Sequence, residues 1–380
     1  MCNNKKIKIV HVAECIGGVD KYLHSLIKYM DHDKFNNVVI LSQLYKKEEY
    51  EGLADFVEKV NMIHGMRFET IISAKDIRKI IKKHDPDVVY AHSSIAGVVT
   101  RLACIGLKCK VIYNPHGWSF NMQSKKQNVF IWLERLMAYF CDAIICISEA
   151  EKKSAIDKKI CKENKLHIIY NGIEINRKPE KTRTELGIPE DIYIVGMVGR
   201  ICKQKAPDTF IKMAKYLRDV YLVIVGDILE GSNEERKEIE DLAIKYGVQL
   251  KITGWVNNPL DYIGVFDVAC LLSRWEGFGL VLPEYMLCGK PIVATNVDAI
   301  PYIIENGKNG LLVDIDDSKG AAEAVLKIRN NKELQEKLVN NGKKEVLTKY
   351  DVRRVSKETE NFLNKLLNNF NAYYYKGGIL

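Results

Sequence analysis

Glu276 and Glu284 lie with seven residues between them in Ser273-Arg-Trp-Glu-Gly-Phe-Gly-Leu-Val-Leu-Pro-Glu284. The apolar run at 267–272 reads as a buried parallel strand. Gly277 and Gly279 read as a tight turn with uncovered amides, and a helix is expected to begin near Leu280. Strand, glycine turn and helix start, in that order, make a site for a phosphate. The first-turn N–H groups lack intrahelical partners and the helix dipole is positive there. The amides of Phe278–Leu280 would meet the phosphates. Glu276 falls in the turn beside them. Glu284 falls about one turn into the helix, where it can accept hydrogen bonds from ribose hydroxyls. Together these features point to a ligand with both phosphates and hydroxyls, such as a nucleotide sugar. An acid–base pair as in glycoside hydrolysis fits less well, because Glu284 would lie too deep in the nucleotide pocket to reach a sugar.

Other candidates follow earlier strands. Arg200 and Lys205 come just after the apolar run 192–198. There they can clamp a diphosphate and stabilise the charge on it as a sugar leaves; Lys203 reads as solvated. Gly17-Gly18 separates the first strand from the first helix and fits a close approach to a diphosphate and a plain tight turn equally. It is not a Gly-x-Gly-x-x-Gly fingerprint, which disfavours dinucleotide binding. His116, in Pro115-His-Gly117, ends a strand and suits positioning and charge stabilisation better than general-base work. His92 has a similar position and, with Trp118, is assigned to the acceptor side. Three Asp-x-Asp pairs, Asp31/Asp33, Asp85/Asp87 and Asp314/Asp316, fall where chance explains them better than a metal site.

Two alternating series of elements must position these residues. Strands are expected at 7–12, 38–42, 61–64, 88–92, 110–114, 143–148 and 167–170, with helices at 19–30, 74–84 and 128–140 among them. After a polar link at 171–191, read as a linker plus a short helix, strands are expected at 193–198, 222–225, 249–252, 268–272, 291–294 and 310–313, then a charged helical tail. Short apolar strands alternating with amphipathic helices mean parallel sheets of βαβ units. The fold class is therefore α/β with two doubly wound, Rossmann-like domains, 1–175 and 176–351, facing a central cleft where the strands' carboxyl ends hold ligand.

The stretch from Glu276 to Glu284 resembles the Glu-x7-Glu motif of retaining glycosyltransferases of family 4, which have the GT-B fold. The resemblance runs along nearly the whole chain, through Gly17-Gly18, Asn114-Pro-His-Gly117, Tyr170-Asn-Gly-Ile173, Gly199-Arg200 with Lys205, Gly289-Lys-Pro-Ile-Val-Ala294 and Asn309-Gly-Leu-Leu-Val313. It implies that Arg200 and Lys205 bind the donor diphosphate, that His116 and Glu276 meet the donor sugar, and that Glu284 binds ribose. It also implies that the helix from 352 packs back on the first domain. Donor binding is expected to involve Gly17, Gly18, Gly277, Phe278, Gly279 and Leu280 as well. No cofactor or divalent metal is expected, since chance explains the Asp-x-Asp pairs, and no dedicated side-chain base is implied, because the leaving phosphate itself can help deprotonate the acceptor. Ala206 stands where the family usually has glycine. Ile9-Val-His-Val-Ala-Glu-Cys-Ile-Gly-Gly18 is similar to enzymes of capsule and exopolysaccharide assembly, which implies a polyprenyl-diphosphate-linked glycan acceptor. Two alternatives stay open: a nucleotide-sugar epimerase of the same fold and a non-catalytic nucleotide-sugar-binding protein.

The net charge of +8 is uneven. Residues 1–175 hold 27 Lys and Arg against 20 Asp and Glu, and the remainder 30 against 29. A basic first half fits an anionic membrane surface, a pyrophosphate-bearing acceptor or plain solubility; scattered lysines argue against nucleic acid. Ten cysteines without a Cys-x-x-Cys pair read as reduced thiols, Cys146 and Cys270 among them buried in strands. With no apolar signal core at Met1–Lys8 and no 18-residue apolar run, a cytoplasmic protein is expected, peripheral to the membrane at most. The helix at 128–140 is expected to pack its apolar face on the sheet, leaving the loop at 118–126 as the better candidate for lipid or acceptor contact.

Overall fold

The computed structural model describes residues 5–14, 17–43, 45–62, 68–121, 125–228 and 234–376, with the side chains of 68–71 and 369–376 excepted. Met1–Asn4 with Cys2, Cys15, part of the strand expected at 61–64, and 122–124 of the loop at 118–126 lie outside them. The chain divides into two compact units, one running to Gly172 and resuming at Val352, the other Ile173–Asp351.

The first unit comprises β1 (Ile7–Ala13), α1 (Gly18–Tyr29), β2 (Phe35–Leu41), β3 (Phe56–Lys59), α2 (Phe68–His84), β4 (Val88–His92), α3 (Ser94–Ala103), β5 (Lys110–Asn114), α4 (Gln127–Met137), β6 (Ala143–Cys146), α5 (Glu149–Asp157) and β7 (Leu166–Ile168). The second comprises β8 (Tyr193–Val198), α6 (Pro207–Met213), β9 (Val220–Val225), α7 (Glu234–Lys245), β10 (Gln249–Ile252), α8 (Pro259–Val265), β11 (Val268–Leu271), α9 (Val281–Leu287), β12 (Ile292–Thr295), α10 (Ile300–Ile303), β13 (Leu311–Val313), α11 (Ser318–Arg329) and α12 (Lys332–Lys349). The last helix, α13 (Val352–Lys376), belongs to the first unit.

Both sheets are parallel. The first runs β3-β2-β1-β4-β5-β6-β7 and the second β10-β9-β8-β11-β12-β13. The order reverses between β1 and β4 and again between β8 and β11, and ligands of open α/β sheets bind outside the carboxyl ends at such points. The strands are apolar on both faces because helices cover both. In the first sheet, Val10, Val38, Val89 and Ile144 pack toward one helical layer, while Ile9, Val88, Tyr90 and Ile112 meet Leu26 of α1 and Val355 and Leu363 of α13. Ser356 Oγ donates to the Leu26 carbonyl (3.1 Å) and the Asp31 N–H to Glu360 Oε1 (2.8 Å), fixing α13 on this face.

Some expected elements differ. The edge strand is Phe56–Lys59, and Asn61 and Met62, the described part of the strand expected at 61–64, lie past its end; its partly exposed side chains lack the apolar signature of an interior strand. The link at 171–191 contains hydrogen-bonded turns over 182–188 and no helix. Cys146 and Cys270 are buried free thiols. No helix among the described residues is long and apolar enough to cross a membrane.

Candidate functional site

In the second unit the stretch after β11 is tied to the stretch after β8 by side chains from both. Lys205 Nζ is ion-paired with Glu276 Oε2, and both side chains are largely buried, at 13% and 9% exposure. Ser273 Oγ donates to the same oxygen (3.2 Å), and the Glu276 N–H donates to Asp298 Oδ2 (2.9 Å). Burial raises the Asp298 carboxyl above its ordinary range. Arg274 fastens the two stretches. It grips both oxygens of Asp208 (2.9 Å each), donates to Asp316 Oδ1 (2.8 Å), and caps the Lys203 carbonyl (2.8 Å). Asp316, one of the Asp-x-Asp residues, is held by Arg274 and by Thr209 (3.0 Å). Among the described residues no group of three or more His, Cys, Asp or Glu converges as a metal site.

The glycine turn takes the expected form with one refinement: its positive φ, +82°, belongs to Gly279. A Cβ there would lie 3.1 Å from Leu271 and 3.3 Å from the Glu276 stem. The turn runs into α9, capped at Leu280. Phe278 is a core side chain, edge-on to Tyr350, which leaves its backbone as the part that could meet a ligand. Glu284 sits in the first turn of α9 and is buried. Next to it, the Tyr285 hydroxyl accepts from the Val198 N–H (2.8 Å) and meets the Cys270 carbonyl (3.2 Å), bridging β8 and β11 where the strand order reverses. Arg200 is exposed and donates to Gln204 Oε1 (3.1 Å). Ala206 adopts φ 51°, ψ 50°, a left-handed conformation that costs an L-residue roughly 1–2 kcal/mol and explains a preference for glycine there.

In the first unit Gly17 caps α1 with φ 98°, ψ −121°, and among the described residues, its chain neighbours aside, nothing lies within 4 Å of where its Cβ would be. The backbone there is open to close approach. His116 follows β5 with φ 52°. Its N–H donates to Asn114 Oδ1 (3.1 Å) and the Gly117 N–H to Glu151 Oε1 (2.6 Å). Glu151 also accepts from the Ile147 N–H (2.7 Å), and burial pushes its carboxyl up to about 7.

Two residues expected on the acceptor side have buried side chains. His92 is fully buried and uses both ring nitrogens internally, Nε2 against His11 Nδ1 (3.1 Å) and Nδ1 against His116 Nε2 (3.2 Å). It lies behind His116 in the fold. Trp118 is also buried, stacked on Phe120, its Nε1–H satisfied by the Glu151 carbonyl (2.9 Å). Exposed apolar side chains lie instead on α4 and the turn after it: Val129, Trp132 (63%), Leu136 and Tyr139 (83%). Ile131 and Met137 form the inward face with the buried Glu134, which accepts from Arg101 (3.0 Å) and Tyr113 (2.9 Å). The helix is apolar on two sides, so the expected packing on the sheet accounts for only one.

Residues the sequence reading missed are His11, Asn37, Arg274, Asp298, Tyr285 and Glu151. A histidine inside the apolar strand Ile9-Val-His-Val-Ala13 was the available signal for the first.

Residues 16–177 match the model of Glycosyltransferase Family 4, and residues 178–345 that of Glycosyl transferases group 1. An uncharacterized 41.2 kDa protein in the cps region of Klebsiella pneumoniae is 31% identical, over 84% of this chain and 89% of its own. The UDP-Gal:alpha-D-GlcNAc-diphosphoundecaprenol alpha-1,3-galactosyltransferase of Escherichia coli is 26% identical, over 96% and 99%. Among solved structures, Anabaena HepE in complex with UDP and glucose superposes with a TM-score of 0.83 at 22% identity, over 94% of this chain and all of that one. At that identity the likeness establishes the fold, GT-B, as the sequence resemblance implied.

Proposed function

The chain belongs to glycosyltransferase family 4, and from there we propose that it moves a hexose or hexosamine from a UDP-sugar to a hydroxyl of a polyprenyl-diphosphate-linked glycan in surface-polysaccharide assembly. It is a glycosyltransferase, of a family that retains anomeric configuration and needs no divalent metal. The observation that carries the reading is the Lys205–Glu276 pair at the carboxyl ends of β8 and β11, next to the Gly279 turn and Glu284. A lysine held by a largely buried carboxylate is aimed and ready to share itself with a diphosphate. UDP in the HepE structure and the UDP-galactose donor and diphosphoundecaprenol acceptor of the Escherichia coli relative support the choice of substrates.

The roles divide by unit. Arg200, Lys205 and the amides around Phe278–Leu280 neutralise the leaving diphosphate, Glu284 holds the ribose, and Glu276 orients the sugar. In the first unit, the backbone at Gly17 and Gly18 offers close approach to a phosphate, and His116 is read as a sugar contact. The acceptor attacks from the face the diphosphate leaves, and a diphosphate oxygen takes its proton. The outward side of α4, with Lys125 and Lys126 exposed at its start, meets the anionic membrane that carries the acceptor: aromatic and aliphatic side chains insert while the lysines meet headgroups.

The test is thermal unfolding of the purified protein with UDP-, GDP- and ADP-sugars in EDTA. Ligand that binds only the folded state raises Tm by mass action. A UDP-sugar should raise it. No shift with any donor at saturating concentration would count against the donor site.

A further inference from the structure

Four residues on four neighbouring strands form one hydrogen-bonded row across the first sheet. Asn37 lies on β2 level with Ile9, His11 lies two residues higher on β1, His92 lies level with Ala13 at the end of β4, and His116 lies just past Asn114, the partner of His92 on β5. The row climbs diagonally to the carboxyl edge. Its links are Asn37 Oδ1 to His11 Nε2 (3.1 Å), His11 Nδ1 to His92 Nε2 (3.1 Å) and His92 Nδ1 to His116 Nε2 (3.2 Å).

A neutral imidazole has one donor and one acceptor nitrogen. A row of them therefore has two self-consistent polarities, and the group at its blind end selects between them. Asn37 turns a carbonyl oxygen to His11, which can only accept. His11 must then donate through Nε2, leaving Nδ1 to accept from His92 Nε2–H. His92 Nδ1 in turn accepts from His116 Nε2–H.

We infer that Asn37, His11 and His92 are positioning residues that hold His116 as the Nε2–H tautomer, so that its Nδ1 offers a lone pair and selects an O–H donor, a sugar hydroxyl, over a phosphate or carboxylate oxygen. The inference rests on the reading of His116 as a sugar contact. Burial keeps the row neutral: it lowers His11 to about 4 and His116 to about 3, and holds His92 well below the ordinary range. The Tyr22 ring meets the His116 ring edge-on at 4.7 Å, which restrains the ring from turning over. Asn37 Nδ2 is buried without a hydrogen-bond partner, which makes the reversed polarity the alternative to exclude.

Long-range ¹H–¹⁵N correlation spectra of the ligand-free protein with ¹⁵N-labelled histidine, assigned by loss of the peak in His116→Gln, read the tautomer directly. The expected His116 signature is a protonated Nε2 and a bare Nδ1. In Asn37→Leu the signature should become mixed, and kcat should fall by on the order of 10- to 100-fold with little change in donor KM. Asn37→Asp, which keeps an acceptor oxygen, should retain the wild-type tautomer. A protonated Nδ1 in the wild type overturns the inference, whether or not Asn37→Leu folds. So does an unchanged His116 signature in folded Asn37→Leu. The spectrum needs no substrate, so it stands apart from the transferase reading: a correct tautomer with no transfer counts against that reading alone.

Discussion

Lys205 and Glu276, 71 residues apart in the chain, form an ion pair that joins the turn after β8 to the turn after β11. Each residue holds the other and is proposed to meet the donor, so their substitutions should not add. Lys205→Ala and Glu276→Ala should each lower kcat by on the order of 100-fold, and the double variant by much less than the product. A double-mutant cycle of kcat/KM measures the coupling. Strict additivity would mean that the two residues serve separate sites.

Arg274 holds that geometry without a role in chemistry. Arg274→Met should destabilise the protein by about 2 kcal/mol, since it removes a forked grip on Asp208 and bonds to Asp316 and the Lys203 carbonyl. Donor affinity should fall with it. Arg274→Lys should not rescue, because an ammonium cannot reproduce the fork. Denaturant midpoints and donor Kd check both statements.

What the sequence disclosed and what it hid have physical causes. Glu276 and Glu284 were legible because their surroundings are local: two glycines, an apolar strand before, a helix after. The alternating apolar runs made both sheets legible for the same reason. The histidine row was not, since it follows the spatial order β2-β1-β4-β5 and links positions 37, 11, 92 and 116 that no local pattern connects. The burial of Trp118 was not legible either, because its N–H finds the Glu151 carbonyl, 33 residues on, only through folding. α4 misled because one helix carries two apolar faces, and only burial tells which one the sheet uses.

Acid should unfold the first unit early. His11 and His116 have folded pKa values of about 4 and about 3 against an ordinary 6.5, and that of His92 is also depressed. The unfolded chain therefore binds more protons, and stability falls as pH drops from about 6.5 toward 4, by up to about 1.4 kcal/mol per pH unit for each group. Glu151, raised to about 7, acts oppositely between about 7 and 4.5, as does the Asp20 carboxyl, raised by burial, while His167, lowered by burial, adds to the three rings. The pH dependence of the denaturation midpoint should be shallower in His11→Gln than in the wild type over that window. Equal slopes would contradict the assignment of neutral, buried rings.

The α4 face should be separable from the donor site. Trp132→Ser with Tyr139→Ser should weaken binding to vesicles containing anionic lipid by more than about tenfold, and leave the UDP-sugar thermal shift unchanged. Vesicle co-sedimentation measures the first and thermal unfolding the second. Unchanged sedimentation would remove α4 from the membrane contact.

The most direct measurement is transfer itself. The purified protein is incubated with the UDP-sugar that stabilises it and a polyprenyl-diphosphate-linked glycan, in EDTA, and the product's anomeric configuration is read by NMR beside a Lys205→Ala control. An α-linked product from an α-linked donor, lost in the control, is the predicted result. A β-linked product, or full transfer by the control, would contradict the account.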